Sequence, residues 1–283
     1  MTRNLFAAAS AVALMSTTAA ADSHLLFAPG EGPFSWDSLT TFAAGQSDLS
    51  GQTVTIAGPW LGPQAAAAEA VMAYFEEATG ADVVVTGSDS FEQQIIIDVE
   101  AGAAPNVAVF PQPGLMCDLA RSGQLADLGP ETAAWITANY AAGSSWTALG
   151  ECAGADGFYG FSYNVNVKSL VWYSPENFED AGYEVPTTME DLKALTEQIV
   201  ADGGTPWCIG LGAGAATGWP ATDWVEDLLL RTQSPDVYDG WVRNDIPFDD
   251  PRIVAAIEEF GWFIGSDDFV SGGAGAVGTT DFR

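Results

Sequence analysis

Between residues 53 and 123 the chain alternates β-rich and helical segments, and this alternation restricts the fold more than any other feature. Residues 53–57 (TVTIA) are β-branched and apolar, as a strand favours. Residues 64–79 follow with helical spacing, Ala68, Val71, Met72 and Phe75 on one face and Gly80 as the stop. A second strand is expected at 82–86 (DVVVT). Ser90-Phe91-Glu92-Gln93 has the form of a capping box and opens a helix ending near Gly102. A third strand is expected at 106–110 (NVAVF), and Pro111-Gln112-Pro113-Gly114 breaks the chain before a helix closing at Gly123. This order predicts an α/β fold with a parallel sheet and right-handed crossovers. Open sheets of this kind bind ligands beyond the carboxyl ends of their strands, here at 58–64, 87–90 and 111–114.

A second α/β series starts after residues 158–192 (FYGFSYNVNVKSLVWYSPENFEDAGYEVPTTMEDL), which read as an extended crossing followed by two capped helices. Ser174 caps the first, with Pro175 at its first position and Gly182 at its end. Thr187 and Glu190 form a second capping box, and Leu192, Leu195 and Ile199 share a face. A strand is expected at 207–211 (WCIGL), then a glycine-rich loop to Gly218 and a helix opened by Pro220 that carries Trp224 and Leu228. Asp250-Pro251 starts the last helix, with Ile253, Ile257, Phe260 and Ile264 facing inward. A chain of 283 residues suffices for two such domains. Residues 22–51 are a lead-in with a short helix around 36–43.

The first residues read as an export signal rather than as a buried N-terminal helix. Arg3 supplies the positive end, residues 5–14 the apolar run, and Ala19-Ala20-Ala21 the cleavage site, so the mature chain should begin at Asp22. The run is too short to span a bilayer, and no cysteine follows the cleavage site to carry a lipid. A soluble, periplasmic protein is expected. Its 38 acids against 8 Lys and Arg give a net charge of −30, which repels nucleic acid and anionic lipid surfaces alike. Export permits disulfides. Cys117 and Cys152 both precede the crossing and can pair within one domain, whereas Cys208, in an apolar run, reads as a buried thiol. His24, the one histidine, argues against Ser-His-Asp, Cys-His and multi-histidine zinc chemistry.

Other motifs carry less. Residues 209–218 (IGLGAGAATG) echo G-x-G-x-x-A, yet Trp219-Pro220 intervenes before the helix, where a dinucleotide fingerprint would open it directly. Glycines of this kind also let backbone amides approach a ligand. A glycosidase pair of carboxylates is available in type, but among 38 acids any spacing arises by chance. Tryptophan says more. Trp60 falls at a strand's carboxyl end, open both to ligand contact and to core packing, while Trp219 sits in the second loop, where packing beneath the loop is favoured over stacking. Flat rings with polar neighbours suit a small-ligand cleft. Trp135, Trp146, Trp207, Trp224, Trp241 and Trp262 read as core.

Three blocks carry a family likeness: VTIAGPWLGPQAAAAEAVMAYFEEATG with GSDSFEQQI and EAGAAPNVAVFPQPG, then FSYNVNVKSLVWYSPENFEDAGYEVPTTMEDL, then GLGAGAATGWPATDWVEDLLLR. The chain resembles the extracellular solute-binding proteins of sugar ABC importers, most closely the α-glucoside-binding branch. The resemblance implies a two-lobe, type II periplasmic-binding fold: signal peptide 1–21, first lobe 22–160, hinge crossing 161–166 and second lobe 167–283. It also implies continuation past Arg283, so that this chain is C-terminally incomplete.

By the same resemblance the ligand contacts are Trp60 and Gln64 after the first strand, Asp89 and Ser90 after the second, Gln112 after the third, and Tyr163 and Asn164 on the hinge. Thr217, Gly218, Trp219 and Asp223 belong to the second lobe. Maltose-type members place a carboxylate and a tyrosine where this chain has Gly214 and Ala216. The implied protein is a monomer that binds an α-glucoside such as maltose, trehalose or sucrose and hands it to a membrane permease, with no reaction, metal or cofactor. An exported carboxylate-dependent glycoside hydrolase, and a same-fold receptor for a polyol or other non-sugar solute, are the alternatives.

Overall fold

The structure, a computed structural model, describes residues 25–46 and 48–283. The expected signal segment and cleavage site, and His24, lie outside the described residues. Two compact units divide the chain. The first combines residues up to Ile56 with Gly62–Thr86, the second Ala57–Leu61 with Gly87–Arg283.

The first unit holds α1 (Asp37–Gly45), most of β1 (Thr53–Gly58), α2 (Pro63–Thr79) and most of β2 (Asp82–Gly87). Pro63 suits the first turn of α2 because its missing N–H has no partner to lose there. Gly80 ends the helix at φ 75°, where a side chain would be strained and would meet Ser50 Oγ at 2.6 Å. The lead-in is fastened to α2 by rings. Phe34 and Trp36 pack on Tyr74 at centroid distances of 5.3 and 5.1 Å, and the Phe27 N–H donates to the Tyr74 hydroxyl. Val71, expected on the inner face of α2, is exposed, because Tyr74 and Phe75 take the packing positions.

The strand order is β2–β1–β3, with β3 limited to Val107–Ala108. Asp82 N–H donates to Gln52 C=O and Ser88 N–H to Gly58 C=O, so the pairing advances together along both chains and β1 and β2 run parallel. The α/β class and the parallel pairing of the first two strands agree with the alternation in the sequence.

In the second unit α3 (Phe91–Glu100) and α4 (Pro113–Arg121) bury Phe91, Ile95 and Leu119 against Ala57, Ala108 and Phe110. Three helices unmarked in the sequence reading follow or interleave: α5 (Gly129–Asn139), α6 (Gly143–Ala148) and, later, α10 (Pro235–Val242). Cys117 and Cys152 are disulfide-bonded with Cα atoms 5.2 Å apart, and Cys152 is buried with Met116 and Ala120. Cys208 is exposed rather than buried, since the apolar partners of its run, Trp207 and Ile209, point elsewhere. Trp135 is likewise no core residue at 51% exposure.

Helix α7 (Pro175–Ala181) has the expected cap, Ser174 Oγ accepting the Asn177 N–H, and ends at Gly182 with φ 71°. Helix α8 (Met189–Ala201) is capped by Thr188, which accepts from Asp191 N–H, one residue later than expected. Helices α9 (Trp219–Thr232) and α11 (Pro251–Ile264) bury Leu228, Leu229, Ile253, Ala256 and Phe260 between them. Ile257 turns outward, and Phe263 joins Ile209, Val270 and Val277 in a neighbouring cluster. The strand expected at 207–211 is instead extended chain held by isolated parallel bridges, Trp207 to Val270 and Gly212 to Asp281.

The crossing at 161–173 carries no strand. Phe161, Val165, Val167, Leu170 and Val171 are exposed along it, and Trp172 reaches 86%.

Candidate functional site

Apart from Gln64, the candidate contacts lie in the second unit. Trp60 follows β1 and is half-buried. Two glycines shape its seat: a side chain at Gly58 would touch the Trp60 ring at 3.0 Å, and one at Gly87 would strike the Trp60 carbonyl oxygen. The indole N–H donates to the Tyr163 hydroxyl at 2.8 Å, with the rings edge to face, 5.9 Å between centroids. A residue of the first strand's loop and a residue of the crossing therefore meet directly. Asn164, the next residue, is exposed.

Asp89 and Ser90 follow β2. Ser90 Oγ donates to Asp89 Oδ1 at 3.1 Å and makes no cap on α3, so the expected capping box is absent. The neighbouring carboxylate outcompetes the helix N–H groups for that hydroxyl. Asp89 also borders the glycine loop: a side chain at Gly214, φ 58°, would stand 3.0 Å from Asp89 Oδ2. Thr217 braces that loop by donating to Gly214 C=O and accepting the Ala213 N–H. Gly210 and Gly212 lie close against the backbone of 279–281, and this packing accounts for the motif that echoed a dinucleotide loop.

Gln112 is engaged elsewhere. Its amide oxygen accepts the Gly114 N–H, capping α4, while Nε2 donates to Glu92 Oε1 at 2.8 Å. Gln64 belongs to the first unit, exposed on the first turn of α2.

Helix α9 begins at Trp219, after Gly218 at φ 111°. Trp219 and Asp223 are four residues apart and share one side of its first turn. Lys168 reaches both, its ammonium 2.8 Å from Asp223 Oδ2 and 4.2 Å from the centre of the Trp219 ring. Phe282 packs edge-on against the same indole at 4.8 Å. One turn further, burial and then the Asp223 charge push the Glu226 carboxyl above its usual range. Its neighbour Tyr238 is pushed up to about 12, by burial first and then by the Glu226 charge and hydrogen bond.

A shallow depression of about 490 Å³ lies over residues 148–157 beside the disulfide, and none of the candidate contacts lines it. Among the described residues no group of three or more His, Cys, Asp or Glu is gathered to hold a metal ion.

The model of the bacterial extracellular solute-binding protein family matches residues 58–280, most of the chain. The chain belongs to that family. The solute-binding protein is 57% identical, over its whole length, to the alpha-glucosides-binding periplasmic protein of Rhizobium meliloti, of which it covers 64%. It is 45% identical, over 82% of its length, to the osmoprotective compounds-binding protein of Synechocystis, covering 55% of that protein. It thus spans less than two thirds of the length of both relatives. The apo form of RafE from Streptococcus pneumoniae shares the fold: TM-score 0.55 at 19% identity, over 84% of this chain and 59% of that one.

Within this family member, Lys168 is the residue that sequence reasoning passed over. A signal existed in the composition, since it is one of only two lysines among 38 acids. Nothing local, however, linked it to an indole 51 positions later.

Proposed function

We propose that this protein is the periplasmic receptor of an ABC sugar importer, binding α-glucosides and delivering them, unaltered and as a monomer, to a membrane permease. The observation that carries this reading is the identity of 57%, spread over the entire chain, with a protein named for binding alpha-glucosides in the periplasm. The geometry suits it. Trp60, hydrogen-bonded to Tyr163, offers an aromatic edge and a hydroxyl, and Asp89 and Ser90 offer oxygens to sugar hydroxyls. Trp219 and Asp223 repeat the combination on α9. In this reading export removes residues 1–21, lobes 22–160 and 167–283 join through 161–166, and solute favours their closed arrangement.

The relative named for osmoprotective compounds supports a second reading, a receptor for a polyol or similar non-sugar solute. Calorimetric titration with maltose, trehalose, sucrose and sorbitol, with product analysis of each mixture, separates the two. Saturable heat from an α-glucoside without product is the expected result. Heat from sorbitol alone would establish the second reading, and release of glucose would overturn both.

A further inference from the structure

The chain has two lysines, and both stand over a tryptophan while pairing with a carboxylate. Lys193 joins α8 to α11: its ammonium is 2.7 Å from Glu259 and 4.8 Å from the centre of the Trp262 ring. Its anchor is a regular helix and its side chain is 28% exposed, so this contact is a weld between packed elements. Lys168 makes the same contacts from a segment with no secondary structure, with its side chain 51% exposed. Nothing about the packing of α9 requires it, because Pro220, Leu228 and Leu229 bury that helix without it.

An indole face beside a carboxylate is the chemistry that captures ammonium groups. In a chain of net charge −30 such a corner would attract any small organic cation. Here the Lys168 ammonium already fills it. We propose that Lys168 determines specificity at the Trp219–Asp223 corner: as a resident cation it neutralises Asp223 and occupies the cation-binding ring face, so that uncharged polyhydroxyl solutes are accepted and organic cations are excluded. This rests on the reading that Trp219 and Asp223 face the solute. A neutral sugar hydroxyl can share the Asp223 carboxylate with Lys168, whereas a quaternary ammonium has to displace a tethered ammonium from both partners.

The test titrates the full chain and its Lys168→Met, Lys168→Gln and Lys168→Arg variants with choline and with maltose, following heat and tryptophan fluorescence after circular dichroism has confirmed folding. The expected result is that Lys168→Met and Lys168→Gln bind choline at least about tenfold more tightly than the parent, the scale of a single exposed cation–π and ion-pair contact. Lys168→Arg keeps the parent's exclusion, and adding Asp223→Asn to Lys168→Met removes the gained choline binding. Either neutral variant suffices if the other does not fold. Equal choline affinity in the parent and the neutral variants overturns the proposal, as does a gain that survives Asp223→Asn. Should the parent fail to bind maltose while the choline pattern holds, the glucoside reading falls and the role of Lys168 stands.

Discussion

The Trp60 indole N–H donates to the Tyr163 hydroxyl at 2.8 Å across 103 residues of sequence, tying the loop after the first strand to the crossing. Two aromatic side chains thereby fix each other's orientation at the surface, where neither is held by burial alone. Replacing Tyr163 by Phe keeps the ring contact and removes the acceptor. For the proposed glucoside binding, the expected result is a loss of about threefold in affinity, the scale of one neutral hydrogen bond. Trp60→Ala removes the ring as well and should weaken binding by more than about tenfold, or 1.4 kcal/mol. Calorimetry on the two variants checks both, and equal losses would show that the hydrogen bond, not the ring, matters.

Gly87 lies against the Trp60 carbonyl so closely that no Cβ fits. Gly87→Ala should therefore move the Trp60 loop. We expect a lower melting temperature, a destabilisation of about 1–3 kcal/mol as for other overpacked sites, and a change in Trp60 fluorescence. Unchanged fluorescence would mean that the strand end yields instead.

The Cys117–Cys152 bond closes a loop over 35 positions of sequence around the buried cluster of Met116 and Ala120. Reduction should cost about 2–4 kcal/mol, chiefly by freeing the unfolded chain. Denaturant titration with and without dithiothreitol measures it. A thiol assay on the native protein should meanwhile find Cys208 reactive, since it is exposed.

Asp250 caps α11 and meets Arg252 through both carboxylate oxygens at 2.8 Å. The Arg252 guanidinium, then its main-chain N–H, hold the Asp250 pKa at about 2. This lies below the usual value near 4 for an unfolded chain. Its stabilisation is thus complete above about pH 4 and is lost as the pH falls toward 2. Glu226 has the opposite sign. Its folded pKa is raised, so its contribution is lost as the pH climbs from its ordinary value of 4.5. Asp250→Asn should flatten the acid limb of the melting-temperature profile, and Glu226→Gln should raise the neutral limb. A parallel shift of the whole profile in either variant would refute the assignment.

Legibility in the sequence followed the range of the forces involved. Helix α7 was readable because Ser174, Pro175 and Gly182 set its two ends by local chemistry alone. The cap of α8 moved by one residue because adjacent threonines, Thr187 and Thr188, offer the same hydroxyl. Ser90 failed as a cap because its own neighbour, Asp89, took the hydroxyl. The run at 207–211 has a strand's composition, but its partners are irregular loops near Val270 and Asp281, which only tertiary packing brings to it. Val71 and Ile257 had the right spacing and the wrong face, since a stripe of alternating apolar residues does not reveal which edge is buried. At the site, Trp60 and Tyr163 were individually visible as candidates, while their bond and the Lys168 contacts join residues too distant in sequence for pattern to reach.

The exposed crossing carries one more consequence. Between Phe161 and Tyr173 lie valines, a leucine and a tryptophan open to water, and Lys168 is the single charge among them. An extended apolar run with unpaired edges invites strand-to-strand association between molecules, and a central lysine is the residue that most often prevents it. The ammonium that sits on Trp219 is thus also the one charge placed to oppose such association. Neutralising it carries a risk of self-association that rises with protein concentration and that light scattering would register.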